Sequence, residues 1–189
     1  MTIACVGWGS LIWDPRELPI LRTWFEDGPL LPIEFARESD NGRMTLVLAE
    51  EQGLVRSRWA LMNVADAASA REALRRREGV PLEILQKHIG LWVRKSPASG
   101  FCADVIEHWA DGVGVDAVVW TALPPGMRNA PGTVPHTDQI IEHLLGLDPA
   151  ASLRAEEYVR RTPIQVDTPV RRALEVRFGW TPFPPPQRT

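Results

Sequence analysis

The sequence predicts an α+β fold in one domain, and three observations carry that expectation. Short apolar runs bounded by turn residues follow one another through the first third of the chain, a capped alanine-rich helical segment comes next, and further helical segments fill the second half. With 189 residues and 44% hydrophobic content, the chain is long enough to close one core and shorter than the length at which cores divide. The domain is expected over residues 1–181, followed by a proline-rich tail at 182–189 that cannot pack as a helix.

Ile3-Ala4-Cys5-Val6 is an apolar run ended by glycine, too short for a helix and suited to a buried strand. The loop Gly7-Trp8-Gly9-Ser10 follows, Asp14-Pro15 punctuates the chain, and residues 16–25 are expected as a short helix. Strands are expected at 30–37, 44–49 and 54–64, the last alternating through Val55, Ser57, Trp59 and Leu61. Asn41-Gly42 and Gln52-Gly53 supply turns, so the three read as an antiparallel meander.

Residues 66–77 form the clearest helix, because Ser69 and Glu72 have capping-box spacing, alanine and leucine fill the interior, and Gly79 with Pro81 stops it. Glu78 therefore falls in its last turn. Residues 82–92 and 101–109 have spacings compatible with helices, and strands also fit there. A buried strand is expected at 117–123, then a proline- and glycine-rich loop at 124–135, and helices at 140–145 and 149–161, the second capped by Asp148 with Pro149 at its first position.

Composition bounds the function. A net charge of −3, from 21 basic and 24 acidic residues spread along the chain, marks no face for nucleic acid or an anionic membrane. The start lacks a basic segment ahead of its apolar run and reaches glycine at position 7, and no apolar run approaches spanning length, so a cytoplasmic location is expected. Cys5 and Cys102 are then expected as free thiols, and two cysteines with scattered histidines make no metal site. The basic residues are nearly all arginine, with Lys87 and Lys95 the lysines. A set of anion clamps and a genome composition bias explain that equally, so it carries no functional weight here.

Two features carry chemistry. A strand ending in Gly7-Trp8-Gly9-Ser10-Leu11 presents successive backbone N–H groups, and glycine lets a ligand approach the main chain, a cradle for a carboxylate or oxyanion. An ordinary strand-to-helix turn fits the same residues. Ser10 lacks both a nucleophile elbow and an informatively spaced histidine, so it is not read as a nucleophile. Glu78 closes Arg75-Arg76-Arg77-Glu78-Gly79, where a carboxylate opposes the helix dipole. It is either a solvated charge offset by three arginines or a proton-transfer group with a raised pKa.

The run I-A-C-V-G-W-G-S-L-I-W-D-P over residues 3–15 resembles the amino-terminal signature of the γ-glutamylcyclotransferase-like superfamily, in particular its ChaC branch with the motif Gly-Tyr-Gly-Ser-Leu-x-Trp. Further stretches resemble that family in the same order: Phe35-Ala36-Arg37-Glu38-Ser39, Arg58-Trp59-Ala60-Leu61, Arg77-Glu78-Gly79 at the catalytic glutamate, Val118-Val119-Trp120, Asn129-Ala130-Pro131-Gly132, Asp138-Gln139-Ile140-Ile141 and Glu157-Tyr158-Val159. The resemblance covers about two thirds of the chain, and only the first motif is specific alone. Trp8 stands where the family has tyrosine, and residues 82–116 are longer than its usual return from the catalytic helix.

The resemblance implies a mixed, mainly antiparallel sheet curled into a small barrel with flanking helices. It also implies an enzyme that releases 5-oxoproline from a γ-glutamyl peptide or amine. The substrate's own α-amine attacks its γ-carbonyl, so positioning replaces covalent catalysis and no cofactor is needed. Glu78 would be the general acid and base, with Gly7, Trp8, Gly9, Ser10 and Leu11 binding substrate. The leaving amine and the oligomeric state are left open. A non-catalytic module binding an acyl-amino ligand is the alternative. Eight tryptophans and the proline tail also suggest a polyproline-reading partner, although core packing accounts for most of the tryptophans.

Overall fold

The structure is a computed structural model that describes residues 1–21, 23–97 and 100–184. Ile3–Gly7 (β1) lies inside a four-stranded sheet, which explains why its run is apolar on both faces. Ile3 and Cys5 point to a core under the first helix, whereas Ala4 and Val6 point to a larger core shared with the second sheet.

Leu30–Glu38 (β2) pairs antiparallel with Met44–Leu48 (β3), the turn between them passing through Gly42 at φ 81°. The expected strand at 54–64 and the meander do not form as such. Leu54–Arg56 (β4) pairs with the start of β2, the chain turns at Ser57, and Arg58–Leu61 (β5) joins the other sheet against β1. Ser57 is wholly buried, with its hydroxyl donating to Pro29 O at 2.7 Å, and this bond fixes the crossing point.

The helix expected at 16–25 is absent from the described residues of that stretch. Pro19 interrupts it, Arg16 sits at φ 52°, and the backbone instead bonds along β5: Leu21 N–H to Leu61 O at 2.8 Å and Phe25 N–H to Trp59 O at 2.8 Å. That edging occupies the free side of β5. No closed barrel forms among the described residues; they form two mixed sheets, β5 being the edge strand of the first.

Ala67–Glu78 (α1) is capped by Asp66, whose carboxylate accepts from Ser69 N–H at 2.7 Å. Its buried stripe of Ala67, Ala70 and Leu74 lies on β1 and the strand beyond it. Burying Leu74 completely contributes about 2–3 kcal/mol. Gly79 closes the helix in the left-handed conformation, with Val80 N–H returning to Arg75 O at 3.0 Å, so the helix end and Glu78 are fixed by backbone bonds.

Residues 82–92 divide. A 3₁₀ turn leads into Leu85–His88 (α2), and Ile89–Val93 (β6) is a strand. Gly90 allows this, since a Cβ there would stand 2.0 Å from the Trp120 ring. Ala103–Val113 (α3) is helical, and Ala117–Thr121 (β7) pairs parallel to β1 and antiparallel to β6, giving the order β5-β1-β7-β6. Inside the loop at 124–135, Gly126–Met127 (β8) and Ala130–Pro131 (β9) form a small hairpin beside β2.

Thr137–Leu145 (α4) and Pro149–Arg161 (α5) follow, Asp148 capping α5 through Ala150 and Ala151 N–H. A last helix, Pro169–Phe178 (α6), went unexpected although Thr168 and Pro169 are a cap and first-turn pair. Thr168 also donates to Glu34 on β2 at 2.5 Å, and Glu34 accepts from Val170 N–H at 3.3 Å. Of the expected tail, Phe183 N–H bonds Arg160 O at 2.9 Å and the Arg160 guanidinium lies 4.3 Å from the Phe183 ring; residues 185–189 lie outside the described residues. No helix among the described residues is long and apolar enough to cross a membrane.

Candidate active site

The carboxyl ends of β1 and β7 open on one side of the first sheet, where the end of α1 and residues from β2 and β3 meet them. A cleft of about 450 Å³ lies there. Trp8, Gly9, Ser10 and Leu11 form one wall and Glu78 with Arg77 another, so a loop at position 9 and a helix end nearly seventy residues later share one cavity. Gly7 lies one step behind; a Cβ on it would press the Trp24 ring at 3.0 Å, so its smallness serves packing.

Glu78 is mostly enclosed, its side chain 13% exposed, and Oε1 accepts from Arg77 Nη1 at 3.0 Å. Burial raises its pKa above the ordinary carboxylate value, against the opposing charges of Arg77 and Arg16. Arg77 is the buried hub: it also donates to Ser10 Oγ at 3.0 Å and Asp14 O at 2.7 Å, tying the loop to the helix end. Ser10 is therefore an acceptor in this arrangement. Cys5, behind the cleft on β1, is wholly buried and its thiol is pushed up to about 12 by burial and then by Glu78, so it stays protonated.

Trp8 lines the cleft but is 4% exposed, with its indole N–H donating to Leu46 O at 3.2 Å. It anchors the loop to β3. The hydroxyl group at this place comes from Tyr158 on α5, which accepts from Leu46 N–H at 3.2 Å and would stand 2.6 Å from a Cβ on Gly9. Burial pushes the Tyr158 phenol up to about 12, so it is neutral.

The arginines carry no functional weight in the sequence alone, and the fold brings four of them to the cleft. Arg16, Arg37, Arg43 and Arg77 line the cleft against the carboxylates of Asp40 and Glu78. A bulge places Arg37: Phe35 pairs with Leu46 and Arg37 with Thr45, leaving Ala36 as the extra residue, and Arg37 then donates to Pro124 O at 3.0 Å. Nothing in strand alternation announces a bulge. Tyr158 and Arg37 lie inside stretches that resemble the family, a signal that could have found them but gave neither a role; Arg43 has no such signal.

The cleft keeps polar atoms without partners. Among the described residues, Arg43 Nε, Arg77 Nε and Thr121 Oγ1 are buried and unbonded, and all three side chains line it. Among the described residues no three His, Cys, Asp or Glu side chains gather as a metal-binding group. Comparison with models of known families, with curated proteins and with solved structures finds no match. The arrangement can hold an anionic small molecule against guanidinium groups and backbone amides, with one enclosed carboxylate placed to move a proton.

Proposed function

We propose that this chain is a γ-glutamylcyclotransferase-type enzyme that releases 5-oxoproline from a γ-glutamyl peptide or amine. The observation that carries the reading is the position of Glu78: an enclosed carboxylate with a raised pKa, facing the Gly9–Leu11 loop across an arginine-lined cleft. The ordered resemblance of the sequence to that family supports it.

In this reading the substrate α-carboxylate is held by the cleft cations, Arg37 being the one aimed by the bulge. Glu78 takes a proton from the α-ammonium. The freed amine attacks the γ-carbonyl, forming the lactam C–N bond, and the oxygen charge is met by backbone N–H groups of the loop. Breakage of the original amide bond follows, and Glu78 returns the proton to the leaving nitrogen. The sum is substrate to 5-oxoproline plus free amine, with no water consumed. A carboxylate near 4.3 is a poor base for an ammonium near 8, and burial of Glu78 narrows that gap.

The test is 5-oxoproline release from glutathione, γ-glutamyl dipeptides and γ-glutamylamines, with wild type and Glu78→Gln side by side. Release lost in the variant supports the assignment; release by Glu78→Gln close to wild type removes Glu78 from the reaction. Tight binding of a panel member without release indicates a binding module of the same architecture.

A further inference from the structure

A second cavity of about 340 Å³ adjoins the cleft, and Arg43 and Tyr158 line both. Its remaining walls are Trp13 and Asp14 from the loop after β1 and Arg154, Glu157 and Arg161 from α5. The aromatic walls are packed together, Trp13 meeting Tyr158 edge-on at 5.4 Å. Arg43 stands at the junction with its guanidinium 5.3 Å from the Tyr158 ring centre and its Nε buried without a partner among the described residues.

The carboxylates of this cavity are already engaged. Glu157 holds Arg161 at 2.9 Å and Asp14 lies 3.4 Å from Arg16. Arg43 and Arg154, like Arg37 in the main cleft, enter none of the ion pairs made by the described residues. Guanidinium groups left uncompensated around a partly enclosed, aromatic-walled space favour an anionic occupant, and their fork geometry suits a carboxylate.

We propose that the side cavity is a second anion subsite in which Arg43 and Arg154 receive a carboxylate side chain of the leaving amine, making an acidic amino acid the preferred leaving group. Assigning that carboxylate to the leaving amine rests on the cyclotransferase reading; the anion subsite itself does not. The substrate's α-amine and γ-carbonyl carbon close one five-membered ring that carries the α-carboxylate as a substituent, so all three groups must stay beside Glu78. The group that extends past Tyr158 is therefore the one on the far side of the scissile bond.

The experiment compares γ-glutamyl-glutamate with γ-glutamyl-glutamine, which differ by one carboxylate. Affinities are measured calorimetrically in the Glu78→Gln background, and 5-oxoproline release in the wild-type background. The acidic peptide is expected to bind about tenfold more tightly at low salt. Adding Arg154→Gln brings the two within about twofold, whereas Arg172→Gln, an equal loss of charge on α6 outside both cavities, keeps the preference. Equal affinities, binding of neither peptide, or a preference that survives Arg154→Gln overturns the subsite. Release of 5-oxoproline from both peptides without preference leaves the cyclotransferase reading standing and removes the subsite. A charge preference lost in Arg154→Gln with no 5-oxoproline keeps the subsite and removes the reaction.

Discussion

The Tyr158 hydroxyl stands 2.6 Å from the point where a Cβ on Gly9 would lie, so α5 is seated against the loop only because position 9 has no side chain. The same hydroxyl accepts from Leu46 N–H, and Trp8 donates to Leu46 O. Loop, strand β3 and helix α5 therefore meet at one backbone position, and the wall of the cleft is set by three segments distant in sequence.

This contact predicts a specific coupling. Gly9→Ala is expected to destabilise the fold by about 1–3 kcal/mol through overpacking. Tyr158→Phe removes the clashing oxygen, leaving the ring carbon at 3.6 Å, so the double variant recovers much of the loss. Denaturant unfolding of the four proteins gives the interaction energy directly; additive losses would show that the two residues do not press on each other.

Glu78→Gln is expected to fold normally and to lower 5-oxoproline release by about 100- to 10,000-fold, the usual contribution of a positioned proton-transfer group. Circular dichroism and single-turnover kinetics on the same preparation separate the two effects. An inactive variant that is also unfolded would leave Arg77 as the cause, its side chain being 6% exposed and left without its ion partner.

The pH dependence of kcat/KM carries its own signature. In the proposed reaction Glu78 is ionised to accept a proton, and burial raises its pKa, so activity is expected to fall on acidification with a limb above the ordinary value of 4.5. Arg16 is exposed and its charge opposes that rise. Arg16→Gln is therefore expected to move the acid limb to higher pH. A limb that stays put or moves down argues against Glu78 as the titrating base.

Glu34 predicts a pH effect on stability instead. It is 2% exposed, accepts from Phe35 N–H at 2.7 Å and from Thr168 at the start of α6, and burial raises its pKa despite these donors. A raised folded-state pKa means the folded protein holds the proton more tightly than the unfolded chain. That stabilisation is full below the unfolded value and lost as pH rises through the folded one. Glu34→Gln is expected to flatten the decline in Tm as pH rises above the ordinary carboxylate value of 4.5, when wild type and variant scans are compared. Parallel Tm curves would show that Glu34 ionisation does not affect folding.

Local chemistry was enough for much of the architecture. The apolar run at β1, the Asp148–Pro149 start of α5 and the Gly79 stop of α1 are decided by residues within a few positions, so α+β character, the loop after β1 and the place of Glu78 at a helix end are legible in sequence alone. What tertiary structure decided involves partners far along the chain. Residues 20–21 and 23–25 follow the edge of β5 rather than coil into a helix, 54–61 divides between two sheets at buried Ser57, and the bulge at Ala36 turns Arg37 into the cleft. Four dispersed arginines become one field around Glu78 for the same reason: strand register and helix docking set which side chains share a cavity, and neither is encoded by spacing along the chain.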